Sequence, residues 1–156
     1  MKRILHRVNS IKYLRKVPTE FGVEIDIRSF NNKLVLSHDP LSNGIEFEEW
    51  INFYKHDFLI LNVKEEGLEN HILSILRKNN VNKFFFLDQS FPFLLKTINS
   101  GEKRCALRIS EFESINSAYN LAGKVDWVWI DYFTKFPLNY NEYIKLNKLG
   151  YKICIV

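Results

Sequence analysis

Residues 58–64 read FLILNVK and residues 83–88 read KFFFLD, and runs of this kind restrict the fold more than anything else in the chain. A strand with one wetted face alternates apolar and polar residues, whereas these are apolar at nearly every position and need cover on both faces. Between and after them come stretches with helical spacing. Leu68, Ile72, Ile75 and Leu76 line one face over 68–79, residues 90–100 and 139–149 are helical, and a helix over 111–122 is expected to stop at Gly123. Further strands are expected over 3–7, 104–110, 126–131 and 151–156. Strand then helix, repeated with short connections, predicts a parallel sheet with helices outside. With the hairpin over 22–40 counted once there are about seven strand positions, one short of a full set. The expectation is an α/β, TIM-barrel-like (β/α) barrel, small and incomplete, because the full form has eight strands and roughly 250 residues.

The stretch Gly22–Pro40, GVEIDIRSFNNKLVLSHDP, carries the polar residues that such a sheet would aim to one side. Val23, Ile25 and Ile27 alternate with Glu24, Asp26 and Arg28, so the two carboxylates share a face. Alternation alone also describes a sheet with one wetted face. If the carboxylates are close, their repulsion calls for a positive partner, either a divalent cation or basic side chains. Asn31 and Asn32 tolerate the positive φ of a two-residue turn, and Leu34–Leu36 rebuild a strand that leads to His38 and Asp39. Asp39 can orient His38 or cap the turn.

Taken with His6-Arg7, the order His-Arg, then Gly22-x-Glu24-x-Asp26, then His38-Asp39 resembles the glycerophosphodiester phosphodiesterase family, within the phospholipase-C-like phosphodiesterases. The similarity covers residues 1–70 well and the remainder as an order of strands and helices. The resemblance implies metal-dependent hydrolysis of a glycerophosphodiester-like or sugar or lipid phosphodiester. His6 and His38 would be the acid/base pair, Glu24 and Asp26 the ligands of Mg²⁺ or Ca²⁺, and Arg7 a phosphate contact. Where the family carries a third carboxylate in a Glu-x-Lys pattern, this chain reads Asn62-Val63-Lys64. An amide oxygen can still ligate a hard cation but adds no charge, so metal affinity should be lower. Glu65 and Glu66 stand close enough in sequence to substitute, and Lys64 can hold phosphate. Arg108, Glu111 and Asp131 end later strands, where a salt bridge or helix cap is as good a reading as substrate contact. Asp88 suits an N-cap, Trp127 and Trp129 suit the core, and His56 and His71 fall outside the motif with no role.

A second reading is a catalytically impaired barrel that binds a phosphorylated ligand or a protein partner, favoured by Asn62 and the short strand count. An aldolase-like barrel is disfavoured, because no lysine stands alone in an apolar strand centre to form a Schiff base.

The remaining features set bounds. At 156 residues the expectation is one domain, and 46% hydrophobic residues suffice for its core. A net charge of +4 arises from dispersed Lys and Arg, which argues against nucleic-acid binding and mildly favours anionic substrates. Cys105 and Cys154 lie in apolar runs and read as reduced thiols. No signal peptide or membrane span is evident, so cytoplasmic placement is expected. The chain ends inside an apolar strand. The expectations are therefore a chain shorter than the family norm, or a second subunit that completes the barrel as a homo-oligomer.

Overall fold

The computed structural model describes residues 2–156, which group into two compact units divided between Phe93 and Leu94. The first unit contains β1 (Ile4–Leu5), α1 (Ile11–Leu14), β2 (Gly22–Phe30), β3 (Lys33–Leu36), β4 (Ile45–Glu46), α2 (Phe47–Ile51), β5 (Phe58–Val63), α3 (Glu69–Lys78) and β6 (Phe84–Leu87). Its sheet has six strands in the order β4-β3-β2-β5-β6, with β1 alongside the start of β2. β1, β5 and β6 run parallel within it, and β3 and β4 are antiparallel.

Local chemistry explains the path. Asn31 and Asn32 adopt φ of 49° and 62°, which reverses the chain so that Ile27 pairs with Leu36 and Phe30 with Lys33. At Gly22 the parallel strands crowd together, and a Cβ there would sit 2.3 Å from Ile4 Cδ1 and 3.1 Å from the Phe58 carbonyl oxygen. All six residues of β5 and all four of β6 are buried, as strands covered on both faces must be. Phe47, Trp50, Phe85 and Phe86 are fully buried among the aliphatics, and each such side chain contributes about 1.5–3 kcal/mol. The Trp50 indole donates to the Val8 carbonyl at 3.1 Å and so ties α2 to the segment that follows β1.

Helix α4 (Phe91–Asn99), with Pro92 in its first turn, leads into the second unit, which contains β7 (Ala106–Ile109), α5 (Asn116–Asn120), β8 (Trp127–Ile130), α6 (Tyr140–Lys148) and β9 (Lys152–Ile155). Its three strands are parallel in the order β7-β8-β9. Helix α6 opens on a capping box, in which Asn139 accepts from the Glu142 N–H at 3.0 Å while Glu142 accepts from the Asn139 N–H at 2.8 Å. Cys105 and Cys154 are both thiols, and burial pushes the Cys154 thiol up to about 11.

Three expectations change. The described residues form nine strands, because the hairpin supplies two and Ile45–Glu46 pairs with it. They lie in two sheets, of six and three strands, where one continuous sheet is expected. The helix expected over 111–122 shortens to α5. Ser110 and Glu113 bridge to each other instead, and Glu111 turns its carboxylate onto the backbone N–H groups of Phe133, Thr134 and Lys135. Those donors hold its carboxyl well below the usual carboxylate range. Among the described residues no helix is long and apolar enough to cross a membrane.

Candidate active site

In the first unit β1, β2 and β5 run parallel, so the residues that end them share one end of the sheet. Glu24 and Asp26 project from one face of β2 and are 2% and 1% exposed. Directly beside Asp26 in the register stands Asn62 of β5, so both side chains point the same way. Glu24 Oε2 accepts the Arg7 backbone N–H at 2.7 Å, and Glu24 Oε1 accepts the Asn62 amide at 2.9 Å. Arg7 adopts φ of 54°, a left-handed conformation that a side chain takes at a cost of about 1–2 kcal/mol and that aims its N–H at the buried acid. Lys64 Nζ lies 3.6 Å from Asp26 Oδ1 and 3.2 Å from Asp88 Oδ2.

The imidazole of His38 completes the cluster. Arg7 Nη2 lies 3.0 Å from His38 Nε2, and His38 Nδ1 lies 2.9 Å from Asp39 Oδ1. A guanidinium can only donate, so Nε2 is the accepting nitrogen and Nδ1 carries the proton given to Asp39. That hydrogen bond holds the Asp39 carboxyl below its ordinary value, and the nearby Arg7 and Arg28 charges add to it. His6 directly precedes Arg7, and its charge favours ionised Glu24. Thus His6, Arg7, Glu24, Asp26, His38, Asn62 and Lys64 come together in one unit. Arg108 and Asp131 belong to the second unit, where Arg108 Nε lies 3.7 Å from Asp131 Oδ2. Glu65 does not substitute for a third ligand, because Ser29 engages both its oxygens, through its hydroxyl at 2.6 Å and its N–H at 2.9 Å.

Burial is the main cause that pushes the Glu24 carboxyl above its ordinary value, and the Asp26 charge adds to it. The pair is therefore short of positive charge even with Lys64 nearby. Two buried oxygens here, Asp26 Oδ1 and Asn62 Oδ1, accept no hydrogen bond. Hard oxygen donors, two of them carboxylate, with unfilled lone pairs and excess negative charge, fit Mg²⁺ or Ca²⁺. Among the described residues no three His, Cys, Asp or Glu side chains are grouped to hold a metal, and the donor that stands beside the two carboxylates is the neutral Asn62 side chain.

Two contributors escaped the sequence reading. Asn9 clamps Asp26 at two points: its amide donates to Oδ2 at 2.8 Å and its oxygen accepts the Asp26 N–H at 2.9 Å. Arg28 donates from Nε and Nη2 to the His38 carbonyl and from Nη1 to the Lys64 carbonyl at 3.1 Å, which fixes the ends of β3 and β5 to each other. An Asn two residues past a His-Arg pair is the only trace of the first, and the alternating charge of β2 is the trace of the second.

The first unit thus defines an α/β protein with buried carboxylates, imidazole and fixed cations gathered at the ends of parallel strands. No protein-family profile matches the sequence, and no curated protein does. Solved structures do match. A candidate glycerophosphoryl diester phosphodiesterase from Agrobacterium tumefaciens superposes with a TM-score of 0.73 at 13% identity, over 99% of this chain and 84% of that one. A glycerophosphodiester phosphodiesterase from the same organism gives a TM-score of 0.65 at 10% identity, over 99% and 85% of the two chains. A candidate glycerophosphodiester phosphodiesterase from Galdieria sulphuraria gives 0.51 at 14% identity, over 99% and 92%. At these identities the likeness is one of fold.

Proposed function

We propose that this chain is a metal-dependent phosphodiesterase that hydrolyses a glycerophosphodiester or a related sugar or lipid phosphodiester. The observation that carries the reading is the Asp39–His38–Arg7 chain of contacts, joined through the Arg7 backbone to buried Glu24. Lys64 and Arg7 are the phosphate contacts. An incoming phosphoryl anion competes for the Arg7 guanidinium and draws it off His38 Nε2, which uncovers a lone pair whose ring Asp39 already holds in the correct tautomer. His38 then takes the proton of the attacking hydroxyl, from the substrate or from water, and His6 gives a proton to the departing alkoxide. A divalent cation on Glu24, Asp26 and Asn62 would neutralise charge at the phosphoryl oxygens.

The test is turnover of a panel of glycerophosphodiesters, lysophospholipids and sugar phosphodiesters with Mg²⁺ or Ca²⁺. His6→Ala and His38→Ala should each lose about 10²–10⁴-fold in rate. No turnover across the panel, or full activity in both variants, sinks the reading.

One observation favours a second reading: Asn62 is neutral and spends its amide on Glu24. A scaffold that binds a phosphorylated ligand or a protein partner without turnover would show no divalent binding at millimolar metal by calorimetry. Binding lost in Glu24→Ala supports the enzyme.

A further inference from the structure

Lys64 directly follows β5 and stands between two carboxylates, with its Nζ 3.6 Å from Asp26 Oδ1 and 3.2 Å from Asp88 Oδ2. The two contacts differ. The one to Asp88 is a hydrogen bond, whereas Asp26 Oδ1 accepts none and is sealed from solvent with the ammonium beside it. The Asp26 side chain is 1% exposed and that of Asp88 is 18% exposed, so the lysine spans from the buried acid to a wetter one.

Asp88 reaches this place through its backbone. Asp26, Asn62 and Leu87 are neighbours in register, so a strand that stayed extended would send the next side chain to the opposite face. Instead Asp88 adopts φ of 62°, and this left-handed turn returns its carboxylate to the side of Lys64. Arg7, just past β1, has φ of 54° and likewise serves the buried acids. Strained backbone of this kind gathers where a side chain has to be aimed.

An ammonium beside Asp26 Oδ1 and a divalent cation on that oxygen exclude each other, because like charges would meet there. A cation that takes Oδ1 therefore displaces Lys64. We propose that Asp88 is a positioning residue, which keeps hold of Lys64 when the divalent cation enters. The exchange moves the ammonium off Asp26 and leaves it tethered at the end of β6, where it serves as the phosphate contact. Without a carboxylate at 88 the ammonium would have to stay against the metal or go to water unpaired, and both oppose metal binding. This inference rests on the divalent site proposed above.

The experiment is calorimetric titration of Mg²⁺ and Ca²⁺ into wild type, Asp88→Asn, Lys64→Met and the double variant, joined to a crystal structure of wild type with the cation bound. Lys64→Met should bind the cation about tenfold more tightly, since the competing charge is gone. Removing a carboxylate weakens the local field in either background, so the difference between backgrounds is the informative quantity. Asp88→Asn should cost about fivefold more affinity with Lys64 present than with Met at 64, a coupling of the size found between residues in contact. In the crystal the ammonium should remain on Asp88 and stand clear of Asp26. Equal losses in the two backgrounds, a Lys64→Met that binds no tighter, or a metal-bound crystal with the ammonium still against Asp26 overturns the proposal. No binding to wild type overturns it together with the divalent site, whereas binding to wild type with equal losses overturns it alone. The crystal needs no variant, so the test survives one that fails to fold.

Discussion

Asn62 donates its amide to Glu24 at 2.9 Å and keeps its own oxygen without a donor, beside two buried carboxylates. Asn62→Asp removes the donor and adds a third negative charge. Without metal the variant should lose about 1–3 kcal/mol or more, the range for a buried acceptor left unsatisfied, and its urea midpoint should fall. With Mg²⁺ or Ca²⁺ the extra charge should tighten binding by at least about tenfold in calorimetry. Unchanged affinity would remove Asn62 from the ligand set. Glu24 gives the opposite test. Its folded carboxyl is raised by burial and by Asp26, so the folded state disfavours its ionised form. That penalty is complete above the folded value, shrinks as pH falls through it, and vanishes below the ordinary carboxylate range. Glu24→Gln can keep both hydrogen bonds if the Asn62 amide turns over. In metal-free buffer the variant should therefore unfold at higher urea than wild type at pH 7, with the gap closing below about pH 4. A wild type that is equally stable at pH 7 contradicts this account.

At the scale of elements, β1 matters more than its two residues suggest, because His6 and Arg7 hang from its end. Only Ile4 and Leu5 pair with β2, and they do so against Gly22 and Val23. Gly22→Ala places a methyl 2.3 Å from Ile4 Cδ1 and 3.1 Å from the Phe58 carbonyl oxygen, so the Ile4 side chain has to turn away and β1 loses packing on β2. The expected cost is about 1–3 kcal/mol, and kcat/KM should fall with it because the Arg7 N–H leaves Glu24. Normal activity in a fully folded Gly22→Ala would separate the strand contact from the site. β2, β5 and β6 were legible in the sequence because the information is local: a period of two, or an unbroken apolar run, says how many faces are covered. The Asn-Asn turn was legible for the same reason. Helix α5 was misread over 111–122 because the spacing of apolar residues cannot reveal that Glu111 hydrogen-bonds a backbone more than 20 positions away. Asn9 was missed on similar grounds. Its meaning comes from Asp26, 17 positions on, and only the β1–β2 pairing brings the two together.

For the molecule as a whole, the +4 charge and the site have opposite signs. Around the proposed phosphate position, Glu24, Asp26, Asp39 and Asp88 outnumber Arg7, Arg28 and Lys64. The surplus positive charge therefore lies elsewhere, dispersed along the chain with no run of more than two basic residues. A dispersed field draws an anion towards the protein weakly and does not funnel it, since fields focus only where charge of one sign lines a cleft. A bound divalent cation would turn that local excess of one negative charge into one positive charge, too little to focus a field and so leaving a weak attraction in control. For an anionic phosphodiester in saturating metal, kcat/KM should thus fall by less than about tenfold between low salt and 0.5 M, where the Debye length shrinks to a few ångströms. A neutral phosphotriester analogue should bind with no salt dependence. A rate that rises with salt would mean that the carboxylates repel the substrate even when metal is present, and Glu24 and Asp26 could then not be holding the cation that the proposed chemistry needs.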